Sequence, residues 1–362
     1  MNYAVIMAGG AGKRLWPLSR RNRPKQIIEL LEDQSLLEHS VRRIADVFAP
    51  ENILIVTNQE YAAEVRRHLP ELPPENVIGE PIGRDTANAI GLAAVLLSQR
   101  DPDGAMAVFS ADQVIEPVEP LHDAIRLGLQ FLEQKPDALF TFGIKAAYAH
   151  TGYGYLKQGE ASEELPEGVF RVEAFTEKPN RNTAGAYIRT GNYCWNSGMF
   201  LWKTKTILRQ LDRCLPHNYE RLMAIGEAWN GPNRNRVIAE EFPDLEKISI
   251  DYAVMEKAAE VYMCRLDCHW LDVGSFQVLA ETKGQRDDTG NQTTPGTLAH
   301  YIHSGNNIVI SDVKEHLIAL VNVEDLIVVH TEDATLICHR DETERLKPLI
   351  EQLNQKGLER FT

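Results

Sequence analysis

Residues 3–14 read Tyr-Ala-Val-Ile-Met-Ala-Gly-Gly-Ala-Gly-Lys-Arg, an apolar run that stops abruptly at a glycine-rich turn ending in two cations. A short apolar run feeding a glycine turn is the pattern of a buried parallel strand that delivers a ligand-binding loop. Six basic residues (Lys13, Arg14, Arg20, Arg21, Arg23 and Lys25) then fall within positions 13–25, with no acid among them. Small residues let backbone N–H groups close around a phosphate, and the cations supply countercharge. The loop is not a Walker loop, because Met7 stands where that motif needs its first glycine. Nor is it a complete dinucleotide fingerprint, because Leu15 holds the last glycine's place. Without further context the same residues would make an ordinary basic surface turn.

Outward from this loop the chain alternates apolar runs with helical spacing. Strands are expected at 3–8, 53–57, 77–78, 105–109 and 138–143. Helices are expected at 35–48, 61–69, 85–97 (with Asp85 or Thr86 as N-cap) and 121–134. This rhythm predicts an α/β fold, a Rossmann-like mixed, mostly parallel sheet flanked by helices. The middle of the chain is less regular. It suggests strands at 152–156, 169–178, 199–202 and 261–268, helices at 203–211 and 251–259, and a loop at 228–236. The polar, turn-rich stretch 284–297 places a boundary at residue 285. Residues 1–285 are then the main domain and 286–362 a small β-rich domain. Apolar pulses at 308–310, 317–321, 326–329 and 336–338, about nine residues apart, suggest a β coil or hairpin unit. A terminal helix is expected from Glu342, with Asp341 and Glu344 as a capping box and a kink at Pro348.

Composition narrows the function. The chain has 362 residues, 43% hydrophobic and 25% charged, with a net charge of −14. That balance argues against nucleic acid or an anionic membrane as partner, so a bound anion needs a local basic cluster. No apolar run approaches a membrane span, and the start of the chain lacks a secretory pattern. Five scattered cysteines fit reduced thiols in a cytoplasm. Cys264, Cys268 and His269 lack a fourth ligand nearby, so a core or surface role is expected of them rather than zinc binding.

The segment Gly9–Ser19 followed by Pro24-Lys25-Gln26 resembles the signature of the sugar-1-phosphate nucleotidyltransferases. Its Leu15-Trp-Pro-Leu-Ser19 variant resembles their mannose-1-phosphate guanylyltransferase branch. Further matches follow in order: Glu80-Pro81, Arg84-Asp85-Thr86, Ser110-Ala111-Asp112, Thr151–Tyr155, Glu177-Lys178-Pro179, Trp195–Phe200, Ser249–Lys257 and Trp270–Ser275, with Leu326–Thr331 in the tail. Three positions depart from the pattern: Gln113 replaces the usual His, Asp85 the usual Asn, and Phe276 a common Trp.

The resemblance implies a nucleotidyltransferase fold with a short left-handed β-helix-like C-terminal domain that helps form a homodimer. It implies attack of mannose 1-phosphate on the α-phosphate of GTP, giving GDP-mannose and pyrophosphate. Arg14, Lys25, Asp112 and Asp272 would be catalytic, with Asp112 and Asp272 holding Mg²⁺. Ala8, Gly9, Gly10, Gly12, Lys13, Arg14, Lys25, Glu80, Arg84, Thr86, Ser110 and Asp112 would bind the nucleotide. Gly152, Tyr153, Gly154, Glu177, Lys178 and Asn196 would bind the sugar phosphate.

The residue types suit that chemistry. The nucleophile is already an anion, so the protein must chiefly align two charged substrates and offset their repulsion. Asp112 ends an apolar run and should lie at the carboxyl edge of a parallel strand, where such sheets bind ligands. A different base or sugar, a dinucleotide-dependent dehydrogenase and an inactive regulatory subunit are the alternatives. The basic loop disfavours the dehydrogenase, and the presence of both aspartates disfavours an inactive subunit. No isomerase activity is expected, since only about 75 residues follow position 285.

Overall fold

The apolar run at the start of the chain is strand β1 (Asn2–Ala8), with Ala4, Val5 and Ile6 fully buried. Its environment comes from a computed structural model that describes residues 1–10, 12–31 and 34–362; Ala11 of the glycine loop lies outside them. The chain forms two compact units. The first comprises Met1–Gly9, Val41–Ala111 and Ile115–Trp270; the second comprises Gly10–Ser40, Asp112–Val114 and Leu271–Thr362.

The first unit is built on a nine-stranded sheet. After β1 come β2 (Ile53–Asn58), β3 (Val77–Glu80), β4 (Ala105–Ser110), β5 (Leu139–Lys145), β6 (Tyr155–Gln158), β7 (Val169–Thr176), β8 (Tyr193–Lys203) and β9 (Val261–Leu266). Their spatial order is β3-β2-β1-β4-β8-β5-β9-β7-β6. β1 pairs in parallel with β2 and β4, with Ile6 opposite Ile55 and Phe109. β2–β3 and β5–β9 are also parallel, whereas β8 runs antiparallel to both β4 and β5. The expected mixed sheet is therefore parallel through β1–β4 and mixed beyond. The inner strands read as continuous apolar runs because helices cover both faces.

Helix α1 (Thr86–Arg100) buries every residue from Ala87 to Leu97, so it needs no polar face there. Asp85 caps it, accepting from the Thr86 N–H at 2.8 Å. α2 is Glu119–Gln134, α3 Thr204–Cys214 and α4 Pro216–Ala228. Gly91 and Gly226 let α1 and α4 cross closely; a Cβ on either would stand 2.6 Å from Leu222 or 2.1 Å from Val95. The expected loop at 228–236 is instead the end of α4, a short turn and α5 (Arg234–Glu241). Pro216 marks the missed helix start, since its fixed φ and absent N–H suit a first helical turn. The expected helix 35–48 ends at Arg42 and continues as tight turns such as Ile44 N–H to Val41 C=O, 3.1 Å, which keep Ile44 and Phe48 buried.

The second unit contains a β-helix. Its strands are β10 (Leu298–Ile302), β11 (Ile308–Ser311), β12 (Leu317–Val321), β13 (Leu326–His330) and β14 (Thr335–His339). Leu298 pairs in parallel with Leu317, and Ile308 with Ile327, so the coil repeats every 19 residues. Corners recur at the same period: His303 and Asn322, then Asn306 and Asp325, all have left-handed φ between 49° and 56°. Buried asparagines support these corners. Asn307 donates to Asn291 Oδ1 (2.9 Å) and Val323 C=O (3.1 Å), and accepts from Leu326 N–H (3.0 Å).

The basic loop belongs to this unit. Leu15, Trp16 and Leu18 share one apolar core with Ile308, Ile310, Ile327, Val329, Leu346 and Ile350. Trp16 Nε1 donates to Phe361 C=O at 2.6 Å, and Arg20 pairs with Asp333 at 2.5 Å. The terminal helix, α6 (Leu346–Gln355), starts later than expected, after a 3₁₀ segment at Arg340–Arg345. That segment is capped by His339 rather than by an Asp341–Glu344 box. Pro348 lies in the first turn of α6, where its missing N–H costs no helical hydrogen bond, so it causes no kink.

Candidate active site

In the second unit the glycine loop is tied down through its carbonyls. Gly12 C=O accepts from Leu15 N–H (2.8 Å) and Ser19 Oγ (2.6 Å), and Gly10 C=O from Gln26 Nε2 (3.0 Å). Gly12 has φ +60°, and a Cβ there would stand 2.8 Å from Lys25 Cβ, so only glycine fits. Lys13 and Arg14 begin a single 3₁₀ turn anchored by the buried Leu15, and both side chains are exposed. Arg14 lies 4.0 Å from Glu344.

Lys25 opens a second 3₁₀ turn, Lys25–Ile27, whose next two residues are buried. Its ammonium is ion-paired with Asp112 and lies 3.5 Å from Val273 C=O. Burial acts to lower the Lys25 pKa, but the charges of Asp112 and Asp272 outweigh it and hold the ammonium above its ordinary value. Asp112 C=O accepts from Val273 N–H at 2.8 Å, joining the segment after β4 to the one carrying Asp272. A Cβ on Gly274 would meet Arg14 Nη1 at 3.8 Å and Asp272 Oδ2 at 3.9 Å. The four predicted catalytic residues are thus brought together in this unit.

Two carboxylates already converge on a cation here. Mg²⁺ takes one or two protein carboxylates and completes its shell with phosphate oxygens and water. Among the described residues no cluster of three or more His, Cys, Asp or Glu side chains forms a fuller cage. The donor set fits a hard cation delivered with phosphates. In the first unit, burial pushes the Cys264 thiol up to about 12 and, with Asp267, the Cys268 thiol up to about 11.

Two groups of predicted residues lie in the first unit. Glu80, the last residue of β3, is 5% exposed, and its Oε1 has no hydrogen-bond partner. Its Oε2 lies 3.8 Å from where a Cβ on Gly9 would stand. Burial, reinforced by Asp85, pushes this carboxyl up to about 8. Arg84 donates to Pro243 C=O, while its buried Nε has no partner. Thr86 Oγ1 accepts from Ile250 N–H (2.9 Å), Ser110 C=O from Arg43 (3.3 Å) and Ala8 C=O from Thr57 Oγ1 (3.0 Å).

The second group surrounds Asn196. Asn196 and Gly198 lie at an irregularity inside the long strand β8, with Gly198 at φ +71°. Gly198 N–H donates to Asn196 Oδ1 (3.2 Å), which fixes the amide so that Nδ2 donates to Asp251 Oδ1 (3.0 Å). Glu177 is paired with Lys178 at 2.9 Å, and its N–H donates to Glu256 Oε1 at 2.8 Å. A Cβ on Gly154 would stand 2.5 Å from Glu177 Oε2 and 3.2 Å from Asn196 Cβ. Tyr153 stacks on His150 (3.9 Å) and meets the Trp195 and Trp270 rings at 5.3 and 5.1 Å. Both indole N–H groups are buried without a partner. Gly152 N–H donates to His150 Nδ1 at 3.1 Å.

Sequence reasoning missed Asp251 and Glu256. Burial and then the Glu177 charge push Asp251 up to about 7. Both acids lie in the quoted segment 249–257, whose cue was Ser249, the cap of the turn carrying Asp251. Phe276, one of the departures, is a core residue of the second unit.

A basic glycine loop whose Lys25 is ion-paired with Asp112 suits the binding of phosphates. The Nucleotidyl transferase family model matches residues 3–288, and the MannoseP isomerase/GMP-like beta-helix domain model matches 301–353. The chain is 38% identical over 359 residues to a mannose-1-phosphate guanylyltransferase of Escherichia coli, covering 98% of this chain and 74% of that protein. It is 35% identical to the alginate biosynthesis protein AlgA of Pseudomonas aeruginosa, covering 98% and 72%. Among solved structures, one described as a mannose-1-phosphate geranyltransferase from Thermus thermophilus superposes with TM-score 0.84 at 31% identity, covering 98% and 99%. The chain belongs to the nucleotidyl transferase family and, within it, to the mannose-1-phosphate guanylyltransferases.

Proposed function

We propose that this enzyme forms GDP-mannose and pyrophosphate from GTP and α-D-mannose 1-phosphate. The observation that carries the reading is the ion pair of Lys25 with Asp112, on an ammonium that also feels the charges of Asp272 and Arg14. A phosphate oxygen of the sugar phosphate forms a bond to the α-phosphorus as the bond to the β-phosphate oxygen breaks. Pyrophosphate leaves with the electron pair. The attacking oxygen is anionic, so no general base is needed.

Lys25 and Arg14 stabilise the charge on the transferring phosphoryl group, and Gly10, Gly12 and Lys13 hold the departing phosphates. Ala8, Gly9, Glu80, Arg84, Thr86 and Ser110 serve the nucleoside. Gly152, Tyr153, Gly154, Glu177, Lys178 and Asn196 hold the sugar phosphate, with Lys178 meeting its phosphate and Glu177 accepting from hydroxyls. Asp112 and Asp272 would hold Mg²⁺, which supplies Lewis-acid charge neutralisation to the phosphate oxygens.

We take residue 285 as the division between a catalytic domain and a C-terminal domain; the family models span 3–288 and 301–353. We assign the β-helix to a homodimer contact: Leu317, Val321 and Ile337 stand 60–64% exposed, with Leu298 and Ile302 beside them. A second copy offering the same face would cover it. Among the described residues no helix is long and apolar enough to cross a membrane. The function is tested by pyrophosphate release with GTP and mannose 1-phosphate. Turnover with that pair supports it, and turnover with a different base or sugar alone refutes the substrate assignment.

A further inference from the structure

Arg20 lies in the middle of the basic cluster, yet its side chain is only 10% exposed and its guanidinium is spent on the β-helix. Nη2 donates to Asp333 Oδ1 at 2.5 Å and Nη1 to Asp333 Oδ2 at 3.2 Å, the two-point fork that matches guanidinium to carboxylate. Nη2 also donates to Thr331 Oγ1 at 3.3 Å. Thr331 and Asp333 belong to the turn between β13 and β14. Hydrogen bonding from Arg20 holds the Asp333 carboxyl below its ordinary value, so the pair is ionised at neutral pH. The same arginine stands between the two parts of the phosphate machinery. On one side its Nε donates to Pro17 C=O (2.8 Å), and Ser19, the residue before it, donates Oγ to Gly12 C=O (2.6 Å). On the other, Arg20 and Arg23 close a turn in both directions, Arg20 N–H to Arg23 C=O at 2.9 Å and Arg23 N–H to Arg20 C=O at 3.1 Å. Pro24 and Lys25 follow directly, and Arg23 is itself paired with Asp312 of the coil at 3.2 Å.

We propose that Arg20 is a positioning residue rather than a phosphate ligand: Asp333 of the β-helix fixes Arg20, and Arg20 fixes the spacing between the Gly12 turn and Lys25. The inference rests on the nucleotide reading above and adds an acid of the C-terminal coil to the groups that set GTP affinity. Gly12 and Lys25 are packed so closely that a Cβ on Gly12 would stand 2.8 Å from Lys25 Cβ, so a shift at Arg20 is felt at both. Backbone donors and an ammonium that must meet one triphosphate lose affinity together when their spacing drifts. A cation reserved for phosphate makes the opposite prediction at Asp333. Removing the acid would then free a positive charge beside the triphosphate and tighten its binding.

The test is therefore the sign of the effect at Asp333, measured on the full chain with Mg²⁺. Asp333 is half exposed in a surface turn, so Asp333→Ala is expected to fold. Its dissociation constant for GTP should rise about three- to tenfold, the worth of one partly screened charged pair, while KM for mannose 1-phosphate stays within about twofold. Arg20→Ala should weaken GTP at least as much. Combining the two substitutions should bind GTP no worse than Arg20→Ala alone, because the pair acts as one unit. Asp333→Asn keeps the shape and one acceptor oxygen, and should show a smaller shift in the same direction. It decides the matter even where Asp333→Ala fails to fold. Tighter GTP binding in either Asp333 variant, strongest at low salt, would make Arg20 a phosphate cation and overturn the proposal. Unchanged GTP binding, additive losses in the combined variant, or equal penalties on both substrates would overturn it too, while leaving GTP as the substrate. Failure of the wild type to bind GTP would overturn the nucleotide reading and this inference together.

Discussion

Lys25, Asp112, Asp272 and Glu80 are each identified by what surrounds them. Lys25 keeps its charge because Asp112 and Asp272 outweigh its burial. Replacing either aspartate with asparagine keeps the shape but removes a negative charge from the cation site. Turnover should fall by ~10²-fold or more, comparable with losing one strong transition-state contact. The Mg²⁺ concentration for half-maximal rate should rise in both variants, and near-normal turnover with an unchanged Mg²⁺ requirement would remove that residue from the site. Glu80 makes a prediction about stability as well. Its carboxyl is raised from 4.5 to about 8 in the fold, so between those values the folded state holds a proton that the unfolded chain has lost. Stability must therefore fall as pH rises through that window, at up to about 1.4 kcal/mol per pH unit. Glu80→Gln abolishes this loss. Its melting temperature relative to wild type should climb from pH 5 to pH 8, and parallel melting curves would contradict the burial argument.

At the scale of elements, two networks hold the functional groups in place. Asp251 fixes the amide of Asn196 from the turn after Ser249. Asp251→Asn should raise KM for the sugar phosphate about tenfold, the worth of one charged hydrogen bond, while leaving KM for GTP near its wild-type value. Equal penalties on both substrates would show a general structural defect instead. In the β-helix, Asn307→Ala would strand Leu326 N–H inside the coil and leave Val323 C=O only its 3.3 Å bond from Gly305 N–H. A loss of about 1–3 kcal/mol in urea unfolding is expected from one buried group left without a partner.

These elements also show what could be read from sequence. β1, β2, β4 and β5 were legible because an inner parallel strand is an unbroken apolar run. β10 was not, because Leu298, His300 and Ile302 face outward and only Ala299 and Tyr301 pack on the core. Lys25, Asp112 and Asp272 could be named from motif and strand position. Asp251 could not, because its role comes from Asn196, which lies 55 residues away in the chain.

At the scale of the whole molecule, the C-terminal coil and the basic loop share one hydrophobic core. Trp16 and Leu18 pack with Ile308, Ile327 and Ile350. No local pattern in residues 10–40 announces a partner some 300 residues later. The β-helix thus supports the phosphate loop in addition to presenting the apolar face assigned to dimerisation. Leu317→Arg places a charge on that face, and light scattering should show the dimer shift to monomer; an unchanged mass would exclude the face as the contact. The central claim is that this fold joins a guanosine nucleotide to mannose 1-phosphate. It is tested most directly by initial rates of pyrophosphate release for GTP, ATP, UTP and dTTP, each with mannose 1-phosphate and glucose 1-phosphate. GTP with mannose 1-phosphate should exceed every other pair in kcat/KM by at least about tenfold, the effect of one base- or hydroxyl-specific contact. A different pair leading by that margin would contradict the account.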